Sequence, residues 1–228
     1  MIYIFVSTLS LLVLLSIVYF KKINYKELKY DSELSKDIET LGENVEIATD
    51  ILKMHGNNHT KVENNKEKNA KISYYDHSKD KIVVGGFEKS EYTRIINIAH
   101  ECVHTTQNKK YLVMNKVFSN LQILYFLFVC IYFFYIDSKE LKLMLLVIQI
   151  FIWFITTFVK MVIESDACYR SVQFAKDYLT QKIGQDTAAK FTDKVEIKVY
   201  ESIPMYFINF LVQGGIMAII AQIIALIS

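Results

Sequence analysis

The residues His100-Glu101-Cys102-Val103-His104 place two imidazoles four positions apart, with a carboxylate next to the first. Around them Ile95, Ile96, Ile98, Ala99 and Val103 keep the apolar spacing of an α-helix. Residues four apart on a helix lie one turn above each other on the same face, so both rings can meet a single Zn²⁺. Glu101 stands beside them, placed to polarise a water and not to bind the ion. The pattern is H-E-x-x-H, and the chemistry it implies is metal-assisted hydrolysis.

A catalytic zinc site takes a third protein ligand and leaves its fourth position open. His55, His59 and His77 are the remaining histidines. Gly56-Asn57-Asn58 argues against one rigid helix face for His55 and His59 and favours a solvated loop, while His77 falls in a turn. The stronger candidate is Glu164 in Glu164-Ser165-Asp166-Ala167, where an apolar run ends. Two apolar runs separate it from His104, and an even number of membrane crossings returns the chain to the same compartment. The competing account pairs Glu164 with Lys160 one turn earlier, in the less favourable order for a helix. Asp166 is expected to point elsewhere, being two positions on. Two neutral imidazoles and one carboxylate leave a zinc site with a net charge of about +1, which acidifies bound water. Glu101 can then take the proton and pass it to a leaving amine.

The elements that must position these groups are read from hydropathy. Of the 228 residues 52% are hydrophobic, and they come in blocks. Residues 2–20, 117–136, 141–163 and 205–227 are each about the length that crosses a hydrocarbon core as a helix, roughly 20 residues. The first run lacks a basic start and a small-residue cleavage site, so it reads as a retained anchor. Gly214-Gly215 in the last run permits close helix packing. Only Lys139 and Lys142 lie at the turn between the second and third runs. Lys21, Lys22, Lys26, Lys29, Lys109, Lys110, Lys116 and Lys160 flank the other side. The positive-inside rule then turns both termini outward and both polar segments to the cytoplasm.

Within residues 21–116, Leu41, Val45, Ala48, Ile51 and Leu52 predict a helix that stops at Gly56. Lys71–Asp76 and Lys81–Val84 predict a hairpin turning through His77-Ser78-Lys79-Asp80. Residues 64–69 read as a polar loop, and a helix from Ser90 or Thr93 carries the histidines. Glu164–Ile183 reads as helical with Gly184 as a break, and a further helix leads to Pro204, which can start the last span. The three cysteines, Cys102, Cys130 and Cys168, make no C-x-x-C pair and no disulfide framework. Cys102 and Cys168 are read as small packing residues close to the site. A net charge of +2, with no basic stripe, is too small to suggest a nucleic-acid partner, and none is expected.

With His100, Glu101, His104 and Glu164 in place, the chain resembles the membrane-embedded neutral zinc metallopeptidases of bacteria, the YugP-like family. The likeness covers most of the chain. It includes Thr40-Leu41-Gly42 before a helix ending Leu52-Lys53-Met54-His55-Gly56, then Tyr75-Asp76, His100-Glu101-x-x-His104-x-x-Gln107, and Glu164-x-x-Ala167 after a transmembrane hairpin. The family usually has Gly where Val103 stands and often Pro at His77. Many Glu-type zinc peptidases carry Asp where Cys168 stands. The HtpX-like and CAAX-processing proteases share the layout and usually show that Asp.

The resemblance implies a mainly α membrane protein with a small α+β zincin-like cytoplasmic part. The expected order is an anchor at 1–20, the zincin-like segment at 21–116, a transmembrane hairpin at 117–163, cytoplasmic helices at 164–203 and a last span at 204–228. It implies His100, His104 and Glu164 as Zn²⁺ ligands and Glu101 as general base. His77, Tyr169 and Arg170 are candidate oxyanion or substrate contacts. The expected activity is metalloendopeptidase cleavage of peptide or membrane-protein substrates at the cytoplasmic face of a bacterial plasma membrane, with the lipid bilayer as the other partner. The alternatives are an HtpX-like or CAAX-type membrane quality-control or processing protease and a catalytically silent membrane scaffold. A channel fits worse, because Lys142 and Lys160 lie near span ends, where they can snorkel.

Overall fold

A computed structural model describes residues 8–9, 11–12, 15, 32–66 and 72–228. The protein is mainly helical with one small mixed sheet, and it divides into two compact units. One unit comprises residues 24–109 and 163–203; the other comprises 1–23, 110–162 and 204–228.

The unit that carries the histidines begins with α1 (Ser32–Glu39) and α2 (Asn44–Met54). In α2 the buried residues Ile47, Ala48, Ile51 and Leu52 form one apolar stripe; of the residues that predicted it, Leu41 is buried just before the helix and Val45 is half-buried. At its start the Glu46 carboxylate accepts from the Glu43 N–H at 2.9 Å, and the helix stops before Gly56. Strands β1 (Lys61–Asn64), β2 (Tyr74–Asp76) and β3 (Lys81–Val84) form a sheet of order β1-β3-β2. β2 and β3 are the predicted hairpin, antiparallel with Asp76 opposite Lys81. Asp80 closes the turn at φ +46°, a conformation that Asp tolerates better than most residues. Its carboxylate accepts from the Tyr75 hydroxyl at 2.8 Å and the Thr60 hydroxyl at 2.9 Å.

β1 is a finding with no counterpart in the sequence reading. It pairs parallel with β3, Val62 opposite Ile82. Its residues Lys-Val-Glu-Asn are mostly exposed and carry no alternating pattern, so only the pairing defines the strand. Of the expected polar loop at 64–69, residues 67–69 lie outside the described residues.

α3 (Thr93–Thr106) carries the H-E-x-x-H residues and buries Ile95, Ile96, Ile98, Ala99, Cys102 and Val103 against α2 and β3. Near its start Arg94 is fully buried. Its guanidinium donates to the carbonyls of Ile38 at 2.7 Å and Gly42 at 3.2 Å, and to the Asn44 side-chain oxygen at 3.1 Å. Burial pulls its pKa below the usual guanidinium value. The carbonyls at the end of α1 and the loop after it are thereby capped from inside the core, where water cannot reach them.

Two long helices each run through both units: α5 (Lys139–Ile183) and α6 (Gln185–Ile227). Ala167, Val172, Phe174, Ala175, Tyr178 and Leu179 of α5, with Ala188, Phe191 and Val195 of α6, close the core around α2 and α3. Gly184 separates the two helices at φ +93°, which a residue with a side chain rarely adopts. Pro204, expected to start the last span, lies near the start of the membrane-length stretch Ser202–Ile227, but α6 runs through it unbroken. Lacking an N–H, it leaves the Tyr200 carbonyl without its helical donor, and the division between the units falls at this residue.

In the other unit, α4 (Lys109–Tyr132) with its 3₁₀ extension to Tyr135, the first part of α5 and the last part of α6 supply, among the described residues, three helices long and apolar enough to cross a membrane. α4 starts eight residues before the apolar run expected at 117. Phe133, Leu145, Leu146, Ala221 and Ala225 pack together. Leu124, Phe151 and Phe158 point outward, about two-thirds exposed, as side chains facing lipid do. The Trp153 indole packs where a Gly214 side chain would stand, and its N–H donates to the Phe210 carbonyl at 3.3 Å. Most of the fourth expected span, 2–20, lies outside the described residues; Thr8, Leu9, Leu11, Leu12 and Leu15 within it are helical.

Candidate metal centre

α3 projects His100 and His104 from one face, their rings nearly perpendicular and 4.8 Å apart between centroids. The two Nε2 atoms are 3.2 Å apart. Glu164 of α5 brings its Oε2 to 3.1 Å from His100 Nε2 and 3.9 Å from His104 Nε2. A tetrahedral zinc ion with bonds of 2.0–2.1 Å holds its ligand atoms about 3.3 Å from one another. Two sides of the observed triangle are close to that spacing, and the third, between Glu164 Oε2 and His104 Nε2, is about 0.6 Å longer. The three side chains are 10–25% exposed. Two neutral imidazoles and a carboxylate are a donor set that suits zinc.

Glu101 neighbours this triangle. Burial pushes its pKa up from 4.5 to about 7, and the Glu164 carboxylate adds to the rise. His104 and the backbone N–H of Tyr75, which donates to the Glu101 carboxylate, pull the other way. The β2 strand therefore brackets the carboxylate from the sheet side. A carboxyl group that exchanges its proton near neutrality is suited to take up a proton and hand it on.

The imidazoles have further neighbours. His104 Nδ1 lies 2.8 Å from the Gln107 Oε1, and Gln107 Nε2 donates to the Ile163 carbonyl and to Asp166 Oδ2, each at 2.8 Å. Arg170 donates to Asp166 at 3.4 Å and to the Thr106 hydroxyl at 2.6 Å. The Cys168 sulfur is 3.8 Å from His100 Nδ1. Asp166 was expected to point elsewhere, and it does not touch the triangle. It reaches the site through Gln107, because α3 and α5 pack side by side here. Neither Gln107 nor Asp166 was singled out as functional from sequence. The signal for Gln107 was its spacing three residues after His104.

The other histidines are not members of the triangle. The His55 ring stacks on Phe174 at 3.4 Å, with Nε2 3.8 Å from Asp177. His59 Nε2 is 3.2 Å from Asp80. His77 sits half-buried in the hairpin turn. Tyr169 is exposed and packs against Tyr200. Cys102 is fully buried with its thiol 3.6 Å from the Ala48 carbonyl, in keeping with a packing residue.

No family model matches the chain, and no curated protein or solved structure shows significant similarity to it. What stands is a His-His-Glu group able to hold a metal ion, its two histidines on an H-E-x-x-H helix, together with three membrane-length apolar helices among the described residues.

Proposed function

We propose that the protein is a zinc-dependent membrane metalloendopeptidase. The observation that carries this reading is the triangle of His100, His104 and Glu164 donor atoms, 3.1–3.9 Å on its sides, next to the half-buried Glu101. His100, His104 and Glu164 would hold the ion. Zinc bound there supplies Lewis acidity to a water and to a peptide carbonyl. Glu101 takes the proton of the attacking water as its oxygen bonds to the carbonyl carbon. It then delivers that proton to the amide nitrogen as the C–N bond breaks. His77, Tyr169 and Arg170 are reserved as substrate or oxyanion contacts.

The same reading places the protein in a bacterial plasma membrane, where it cleaves peptides or membrane-protein segments at the cytoplasmic face. Support comes from the lysines flanking the apolar runs and from Glu164, which follows the third run directly on the same helix. A reporter fused after residue 138 is expected to signal from outside the cytoplasm; a cytoplasmic signal would overturn the orientation.

The central test is metal content and activity. Protein purified in detergent without chelator is expected to carry about one zinc per chain and to cleave a generic unfolded protein. Chelator should abolish cleavage, and added Zn²⁺ should restore it. Metal-free protein that also fails to take up added zinc sinks the reading. A zinc-loaded protein without cleavage points to the scaffold alternative.

A further inference from the structure

We infer that Gln107, anchored by Asp166, is a positioning residue that fixes the tautomer of His104 and ties the α3 ligands to the third ligand on α5. The inference rests on the metal reading above and assigns a role to residues outside its ligand set.

The amide of Gln107 is oriented by its surroundings. Its Nε2 faces two groups that only accept, the Ile163 carbonyl and the Asp166 carboxylate, both at 2.8 Å. Flipping the amide would set oxygen against two oxygens, so Oε1 must face His104 Nδ1 at 2.8 Å. That oxygen can only accept. Nδ1 therefore carries the proton, and Nε2, the atom in the triangle, is left with a free lone pair.

The second effect is registration of α3 against α5. Ile163 and Asp166 flank Glu164, so one amide joins the end of α3 to the segment that presents the third ligand. Arg170 closes the same clamp, reaching Asp166 at 3.4 Å and Thr106, the residue before Gln107, at 2.6 Å. On the His100 side the neighbour of Nδ1 is the Cys168 sulfur at 3.8 Å, a much weaker partner. The carboxylate that orients a ligand histidine thus acts through an amide and on His104. It stands two positions after the ligand Glu and not one turn after it.

The test uses the full-length protein in detergent, with Zn²⁺ affinity measured against a competing chelator and site geometry read from the Co²⁺ ligand-field spectrum. Gln107→Leu is expected to weaken Zn²⁺ binding roughly 10- to 100-fold and to change the Co²⁺ spectrum. Gln107→Glu alone sets two carboxylates together and should lose a similar amount. Asp166→Asn keeps an acceptor for the Gln107 amide and should lose less. Combining Gln107→Glu with Asp166→Asn restores the chain, because a carboxylate at 107 accepts from His104 while an amide at 166 donates to it. Affinity should return to within roughly tenfold of wild type. A double variant as weak as Gln107→Glu overturns the inference. So does a Gln107→Leu protein that binds zinc as wild type does. If Gln107→Leu fails to fold, the single and double Glu variants decide. Wild-type protein that binds no zinc refutes the metal reading itself, a distinguishable result.

Discussion

Glu101→Gln is expected to keep its full complement of zinc and to lose peptide cleavage by roughly 10³-fold, about 4 kcal/mol of transition-state stabilisation. The amide has the size of the carboxyl it replaces and still offers an oxygen to the Tyr75 N–H, so the site should keep its shape. What it cannot do is take a proton from water. The substitution also has a stability consequence with a definite sign in protein stripped of metal. Burial first, and the Glu164 carboxylate after it, hold the Glu101 proton up to about pH 7, against an ordinary value of 4.5. The unfolded chain releases that proton near 4.5. Metal-free wild type is therefore penalised progressively as pH rises from about 4.5 to 7, by about 3 kcal/mol at the upper end. The Gln variant carries no such penalty, so metal-free Glu101→Gln should be the more stable protein at pH 8 and should match wild type near pH 4. Thermal unfolding of both proteins across that range checks the sign. Cleavage by Glu101→Gln at the wild-type rate would remove Glu101 from the mechanism.

Glu164→Ala is expected to lose zinc affinity by more than the roughly 100-fold that an outer partner costs, and with it all activity. The carboxylate is the only anionic member of the set, and its Oε2 completes the triangle at 3.1 and 3.9 Å. Without it, two imidazoles remain, 3.2 Å apart between their Nε2 atoms, and two neutral ligands hold a divalent ion weakly. Glu164→Asp keeps the charge but draws the oxygen back by one methylene, so it should recover part of the affinity. Equilibrium dialysis of both variants against zinc gives the ranking. Full zinc retention by Glu164→Ala would place the third ligand elsewhere.

How much of this was legible beforehand differs from residue to residue. The helix bearing His100 and His104 was readable because a 3.6-residue period is local, and the buried stripe of Ile95, Ile98, Ala99 and Cys102 follows it. The β2–β3 hairpin was readable because its strands are joined by four turn residues. β1 was not, because four half-polar residues become a strand only when β3 pairs with them. Pro204 was read by its usual preference for a helix start, whereas α6 continues through it.

By itself the sequence determined the chemistry available and the elements that bear it: two histidines on one helix face, a carboxylate beside them, and apolar runs long enough to span a bilayer. Counting crossings could put Glu164 in the same compartment as His104, but a compartment is not a distance. Only the packing of α5 against α3 brings a carboxylate 64 residues away to 3.1 Å from His100. The same packing recruits Gln107 and Asp166, and burial sets the proton affinity of Glu101. Those terms depend on neighbours distant in the chain, which no local period encodes.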